Sequence, residues 1–375
     1  QPQQALRIDQ VIDAENASGL GTENRPAMIA AYTGVHRGED TTQDIHVAWS
    51  DDGLTFREFE DNPVLAIGSR KFGDPRLIRL GGRWVLVSIE GSPQGRVLFH
   101  SSDDLHDWEQ VGEYANTDAL PGVWECPDLF ELPIEGEGTT RWVLKVNTVP
   151  EHETHYVVGV FDGLTFLAEQ PPRLYDHGDV YAQQTYARSG PEARCIQVGW
   201  VMQGPSDDRL WTGMMSMPQE LCLRRTDGEL RLHQRPAVEL EQIHRPLCWH
   251  MYDHPIRREG TALPGIAGMA LDMLIEVDDP DGGEVELCIP LESGRLGIGY
   301  SADSLFIARP GADRLTAPLP PADGPTDLRV VLDRGVVEVF AREGAAAVTA
   351  AFDAPHRFAD LTVRSDEPAH LRVAD

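Results

Sequence analysis

Two acidic residues stand out by their surroundings. Asp74 lies in Phe72-Gly73-Asp74-Pro75-Arg76-Leu77-Ile78, and Glu125 lies in Val123-Trp124-Glu125-Cys126-Pro127-Asp128-Leu129-Phe130. Both occur just before a proline-containing entry into an apolar strand, and they are 51 residues apart. Carboxylates that converge on a concave site are what glycoside hydrolysis requires: one acid protonates the leaving oxygen, and another group engages the sugar or its cation-like transition state. Trp124, flanking Glu125, is expected to desolvate it and raise its pKa, as a general acid needs. Alone, each segment also reads as ordinary strand-end chemistry, because Asp before Pro is a common turn-former. What lifts the pair above that reading is a common phase in a repeat.

The elements that must position them are short and β-rich. Runs at Met28–Gly34, Asp44–Ser50, Arg83–Glu90, Arg96–Ser101, Arg141–Asn147, His155–Phe161 and Arg194–Met202 are bounded by Gly, Asp, Asn and Pro clusters, the signature of strands and turns. A 3.6-residue apolar period is visible only weakly, at Ala237–Ile243. Ser50-Asp51-Asp52-Gly53-Leu54-Thr55-Phe56 recurs as Ser102-Asp103-Asp104-Leu105-His106-Asp107-Trp108 and as Phe161-Asp162-Gly163-Leu164-Thr165-Phe166. The closing aromatics Phe56, Trp108 and Phe166 are 52 and 58 residues apart. A period near 50 with about four short strands fits propeller blades. In each unit the Asp/Gly turn would join two outer strands, with the aromatic packed between neighbouring blades. Asp74 and Glu125 would then each begin the innermost strand of adjacent blades and point into one mouth of a central funnel.

Past about residue 245 the repeat stops. Strands at Glu284–Ile289, Leu296–Tyr300, Leu328–Leu332 and Val336–Ala341, with Asp333-Arg334-Gly335 as a tight turn, predict a compact antiparallel β-sandwich. The expected organisation is a propeller domain over residues 1–245 and a sandwich over 246–375, joined by a connector at Arg235–Arg245.

Composition narrows the function. Of 375 residues, 41% are apolar and 25% charged, enough to build sizeable cores. Gly 35 and Pro 27 exceed the usual ~12% combined share and fit a turn-rich chain. The net charge of −29 repels phosphate backbones and anionic lipid, so nucleic-acid and membrane-surface partners are disfavoured while a neutral saccharide is not. Five cysteines without C-x-x-C spacing argue against a disulfide framework or a structural zinc site, and leave the compartment open. His152-x-x-His155 reads as a polar loop. Nucleotide-binding, Gly-x-Ser-x-Gly and His-Glu-x-x-His motifs are absent, and neither a cofactor nor a metal is expected.

Gly122-Val123-Trp124-Glu125-Cys126-Pro127-Asp128-Leu129-Phe130-Glu131-Leu132 resembles the acid/base segment of glycoside hydrolase family 32, the invertases, levanases and exo-inulinases. Asn62-Pro63-Val64-Leu65 with Phe72-Gly73-Asp74-Pro75 resembles its N-P-V-L … F-R-D-P stretch. Trp142–Asn147, Asp176–Ala182 and Gly199–Met202 followed by Trp211, Gly213, Met214, Ser216 and Pro218 are similar to its later blades, and Leu332–Phe340 to its sandwich hairpin. The resemblance runs over nearly the whole chain. It implies an all-β, five-bladed propeller followed by a C-terminal sandwich, and retaining hydrolysis of β-fructofuranosides such as sucrose, levan and inulin. By it, Glu125 is the general acid/base and Asp74 the transition-state stabiliser that binds fructosyl hydroxyls. Trp124, Cys126, Asp179, Tyr181 and Trp200 would line the substrate site. A related five-bladed glycosidase acting on pentosides is the less suitable reading, because W-E-C-P-D-L-F argues against it.

The departures are specific. The family's nucleophile is the Asp of an N-D-P-N-G motif in the first blade; the motif does not occur here, so the propeller is expected to be incomplete at its N-terminus. Asp9 and Asp13 lie near the right end of the chain but lack the motif context. Gly73 stands where the family has Arg, and Arg70, Lys71 and Arg76 are the nearby candidates to compensate. The family's S-G-S segment is replaced by Arg7-Ile8-Asp9. A retaining mechanism needs an attacking carboxylate. A catalytically impaired, fructan-binding relative is therefore the alternative to an active hydrolase.

Overall fold

The structure is a computed structural model that describes residues 4–22, 24–38, 41–116, 118–186, 194–203, 211–226, 228–243, 249–321 and 324–374. Among these residues strands dominate, and the single α-helix is the turn Leu240–Ile243, where the weak helical period was expected. The chain divides into two compact units: 1–175 with 184–195, and 176–183 with 196–375. The expected boundary at 245/246 lies outside the described residues.

The first unit holds three blade sheets. One orders β1 (Gln4–Ile12), β2 (Met28–His36), β3 (Thr42–Ser50) and β4 (Arg57–Glu58). The next orders β5 (Phe72–Leu80), β6 (Arg83–Glu90), β7 (Arg96–Ser102) and β8 (Glu109–Tyr114). The third runs through β9 (Val123–Pro133), β10 (Thr140–Val149), β11 (Glu153–Phe161) and β12 (Phe166–Ala168), with β13 (Arg173–Asp176) also pairing β11. All are antiparallel meanders with the innermost strand first. Middle strands such as β6 are buried on both faces (Trp84, Leu86 and Val87 are at most 1% exposed) because a blade is covered by a neighbour on each side.

The repeated Asp turns join outer strands, as the sequence predicts, and all three are built alike. Asp52 accepts the amides of Leu54 and Thr55, Asp104 those of His106 and Asp107, and Asp162 those of Leu164 and Thr165. These donors hold each carboxyl below its ordinary pKa. The closing aromatics behave less uniformly. Phe166 is buried against Tyr114, and Trp108 packs on the core between the first two sheets. Phe56 instead is 36% exposed; Phe59, stacked on His106 at 4.5 Å, takes the interblade place.

The second unit holds most of a fourth sheet, of order β14 (Val180–Thr185), β15 (Cys195–Val201), β17 (Gln219–Thr226) and β18 (Glu229–Pro236), with β16 (Met214–Met215) pairing β15; Gln184, Thr185 and Cys195 of it count with the first unit. It also holds the sandwich. One six-stranded sheet orders Met251–Ile256, Ala369–Ala374, Ala270–Asp278, Thr326–Asp333, Val336–Ala341 and Ala346–Ala351. The other orders Thr261–Ala262, Thr362–Ser365, Val285–Leu291, Gly294–Tyr300, Ser304–Ala308 and Leu315–Pro318. Thr326–Asp333 shows why: every second residue (Leu328, Val330, Leu332) enters the common core and the residues between do not. Each such side chain contributes about 1.5–3 kcal/mol on burial. The fold is thus a propeller-type array of blades followed by a β-sandwich.

Candidate active site

The site residues sit at irregularities repeated from blade to blade. In β5 the register against β6 slips between Gly73 and Arg76, so Asp74-Pro75 forms a bulge. In β9 the register against β10 slips between Glu125 and Asp128, so Cys126-Pro127 forms the equivalent bulge. Proline suits that position because a bulged residue has no ladder bond to lose. The residue before each proline has left-handed backbone, φ 51° at Asp74 and 58° at Cys126. β1 carries the same device between Leu6 and Ile8, with Arg7 at φ 39°. Such conformations cost about 1–3 kcal/mol each in non-glycine residues, and persist where the structure around them enforces a re-aimed side chain. The common phase read from sequence is therefore one residue off: Asp74 matches Cys126, and Glu125 matches Gly73.

The bulges are wired to one another. Asp74 Oδ2 accepts the backbone amide of Cys126 at 2.8 Å, and the Asp74 amide donates to Thr33 Oγ1 at 2.8 Å. Cys126 N belongs to the peptide bond that follows Glu125, so the Asp74 carboxylate is fixed against the backbone of β9 next to Glu125. The Glu125 side chain is 26% exposed, and its Oε1 lies 2.5 Å from Lys71 Nζ. Arg7 completes the group. Burial opposes its charge, but Cys126, Asp74, Asp128 and Asp9 around it hold the guanidinium firmly protonated. Burial also pushes the Cys126 thiol up to about 12, with Asp74 and Glu125 adding to the rise and Arg7 opposing it, so the thiol is inert.

Next to these groups lies an ionic network that is buried except at the edge of Asp9. Asp128 faces Lys145 Nζ at 3.3 Å and Arg76 Nε at 3.5 Å, and accepts Thr185 N at 2.9 Å and Oγ1 at 3.0 Å. Arg76 also donates to Asp9 Oδ1 (3.0 Å) and to the Thr185 carbonyl (2.9 Å), while Asp9 Oδ2 accepts the Leu77 amide at 2.7 Å. Burial drives the Asp128 carboxyl upward, but Lys145, Arg76 and the Thr185 donors outweigh it and hold the pKa below the ordinary value. Two cations and two carboxylates balance in a region with almost no water access. The network fixes the inner strands β1, β5 and β9 against each other.

These contacts revise several sequence expectations. Arg76 does not compensate for the Arg that Gly73 replaces, because Asp9 and Asp128 engage it; Lys71 is engaged by Glu125. The guanidinium that does stand beside Asp74 is Arg7, a residue the sequence reading missed although the diverged S-G-S segment marked its place. Asp9 is bound to Arg76 and Leu77, and Asp13 accepts Ala17 N, Ser18 N and Ser18 Oγ, so neither is placed as a nucleophile. Trp124 is fully buried, with its indole donating to the Leu120 carbonyl. It points to the opposite face of β9 from Glu125, so it packs the interblade core and neither desolvates Glu125 nor offers a face to a sugar. Cys126 contributes its backbone amide. In the second unit, Asp179 accepts the Ala351 amide at 2.8 Å and pairs with Arg309, and Tyr181 is 5% exposed. Trp200 is 48% exposed, and packs so closely on Gly213 that a side chain there would meet its indole. Asp74, Glu125, Cys126, Lys71 and Arg7 are the residues brought together in the first unit.

Blades of four or five strands with bulged inner strands, followed by a two-sheet sandwich, define a propeller-and-sandwich fold. Residues 3–236 match the family profile "Glycosyl hydrolases family 32 N-terminal domain", and residues 243–366 match "Glycosyl hydrolases family 32 C terminal". The chain belongs to glycoside hydrolase family 32. It is 29% identical over 381 residues to a levanase of Bacillus subtilis (strain 168), covering 90% of this chain and 54% of that protein. It is 30% identical over 389 residues to a levanase of Bacillus sp. (strain L7), covering 89% and 41%. The chain thus spans about half the length of these relatives or less. In fold it is similar to β-fructofuranosidase from Schwanniomyces occidentalis complexed with fructosyl-erythritol (TM-score 0.86, 23% identity, 100% of this chain and 83% of that one). It is likewise similar to exo-inulinase from Aspergillus awamori (TM-score 0.84, 21% identity, 99% and 83%).

Proposed function

We propose that the protein serves hydrolysis of terminal β-fructofuranosyl residues of levan, inulin or sucrose. In this reading Glu125 is the acid/base and Asp74 holds fructosyl hydroxyls in the transition state. The observation that supports it is the 2.8 Å bond from the Cys126 amide to Asp74, which joins the Asp74 bulge of one inner strand to the residue after Glu125 in the next. Before Glu125 can donate a proton, the leaving oxygen must displace Lys71 from Oε1. The attack on the anomeric carbon belongs to a third carboxylate, and Asp9 and Asp13 are committed elsewhere. The substrate is a neutral saccharide, in keeping with the acidic chain. No helix among the described residues is long and apolar enough to cross a membrane.

The commitment of Asp9 and Asp13 also supports a second reading, in which the chain binds fructosyl ends without turning them over. One experiment separates the two: fructose release from levan, inulin and sucrose by the 375-residue chain, beside fructan binding in affinity electrophoresis. Release abolished by Glu125→Gln supports hydrolysis; binding without release, weakened by Asp74→Ala, supports the binding protein. Neither release nor binding would overturn the fructoside assignment.

A further inference from the structure

On the β2–β3 hairpin, three side chains that the glycosidase reading does not use converge. His36, Asp44 and His46 place one ligand atom each within 4.8 Å of the others. Asp44 Oδ1 is 2.8 Å from His46 Nε2, and Asp44 Oδ2 is 2.8 Å from His36 Nε2. The convergence follows from register. Gly34 pairs with Asp44 and Tyr32 with His46, so residues 32, 34, 36, 44 and 46 share one face of the hairpin.

Three features make this more than a chance cluster. A Cβ on Gly34 would lie 2.6 Å from His46 Nε2 and 2.7 Å from Asp44 Oδ1, so glycine is what leaves room for the group. Tyr32 stacks on the His46 ring at 5.2 Å and fixes its plane. The His36 Nε2 atom is buried and, although close to Asp44, makes no aligned hydrogen bond. Exposure is graded: the His46 side chain is 4% exposed and Asp44 10%, while His36 at 35% forms the rim. Two ligands are thus held rigidly, and the third can swing to admit an ion.

We propose that His36, Asp44 and His46 form a site for a divalent first-row transition metal, zinc foremost. Two imidazoles and one carboxylate are a borderline donor set that suits Zn²⁺ and not the oxygen-seeking Mg²⁺ or Ca²⁺. The three protein ligands leave a fourth position for water on the His36 side. The strong negative charge of the chain raises the local cation concentration. The ion would staple β2 to β3 close to their connecting loop.

The test is titration of the full chain, stripped with chelator, with ZnCl₂ alone in calorimetry and with Co²⁺ followed by its d–d absorption. The expected result is one ion per chain, with binding weakened at least about 10-fold in His36→Gln and in Asp44→Asn. His36→Gln lies at the rim and should keep the wild-type circular dichroism, so loss of binding there is not loss of fold. Gly34→Ala should weaken binding as well. The proposal is overturned if the wild type takes up no Zn²⁺, if His36→Gln and Asp44→Asn bind it as tightly as wild type, or if Ca²⁺ binds equally well.

Discussion

The carboxylate of Asp74 and the amide of Cys126, 52 residues apart, meet at 2.8 Å because each occupies the bulge of its own inner strand. That bond ties the bulge of one inner strand to the bulge of the next. Asp74→Asn retains an acceptor for the amide but loses the charge. It should leave the thermal midpoint within a few degrees of wild type while fructan binding, or fructose release where it occurs, falls at least about 10-fold. Binding and release equal to wild type would remove Asp74 from the site.

The Asp128 network makes a different prediction, about stability. Asp128→Asn removes the carboxylate that faces both Lys145 and Arg76, and should cost on the order of 3–5 kcal/mol in urea denaturation. Asp128→Asn with Lys145→Met should recover part of that loss, and a purely additive double variant would show that the charges are not coupled. Because the folded carboxyl titrates below its unfolded value, its contribution is present above the unfolded pKa and lost as pH falls through the folded one.

Glu338 behaves with the opposite sign. Burial pushes its carboxyl up to about 7, although the Met217 amide (2.6 Å) and Gln219 side chain (3.1 Å) bond to it. The stability it contributes is complete below the unfolded value near 4.5 and is lost as pH rises toward and through 7, a swing of about 3 kcal/mol. Unfolding free energy measured between pH 5 and 8 should therefore fall more steeply in wild type than in Glu338→Gln. Parallel curves would show that the carboxyl is ionised throughout.

Gly73 makes the fourth. A Cβ there would lie 2.5 Å from Thr33 Oγ1 and 2.6 Å from its Cγ2. Gly73→Ala should destabilise by about 1–3 kcal/mol through overpacking. Thr33→Ser, which removes the methyl and keeps the hydroxyl that accepts the Asp74 amide, should recover part of it. No effect of Gly73→Ala on the urea midpoint would contradict the contact.

Most of the fold was legible because it rests on local signals. The Ser/Asp turns at 50–56 and 102–108 carry their own hydrogen-bond code, and alternation at Leu328–Leu332, the tight turn at Asp333-Arg334-Gly335 and the mostly apolar run at Val336–Ala341 marked a sandwich hairpin. The prolines marked both strand entries in the sequence, but only the register shows that the bulges carry Asp74 and Cys126, with Glu125 before its bulge. Trp124 was misread because neighbours in sequence point to opposite faces of a strand, and the interblade face takes large aromatics. Arg7 and the His36–Asp44–His46 group escaped notice for a common reason. Their partners come from register and from a glycine's empty space, which no spacing rule encodes.

The burial of Glu338 has a practical corollary for anyone dissecting the gene. Its two donors come from Met217 and Gln219, while Gly178 backs directly onto Thr349 and Asp179 onto Ala351. A fragment ended near residue 243, where the family profiles would suggest a clean cut, strips those partners from the fourth sheet and leaves raw strand surface. Shortened versions should be recovered as inclusion bodies, so trimming is better attempted at the outer loops than at the apparent domain seam.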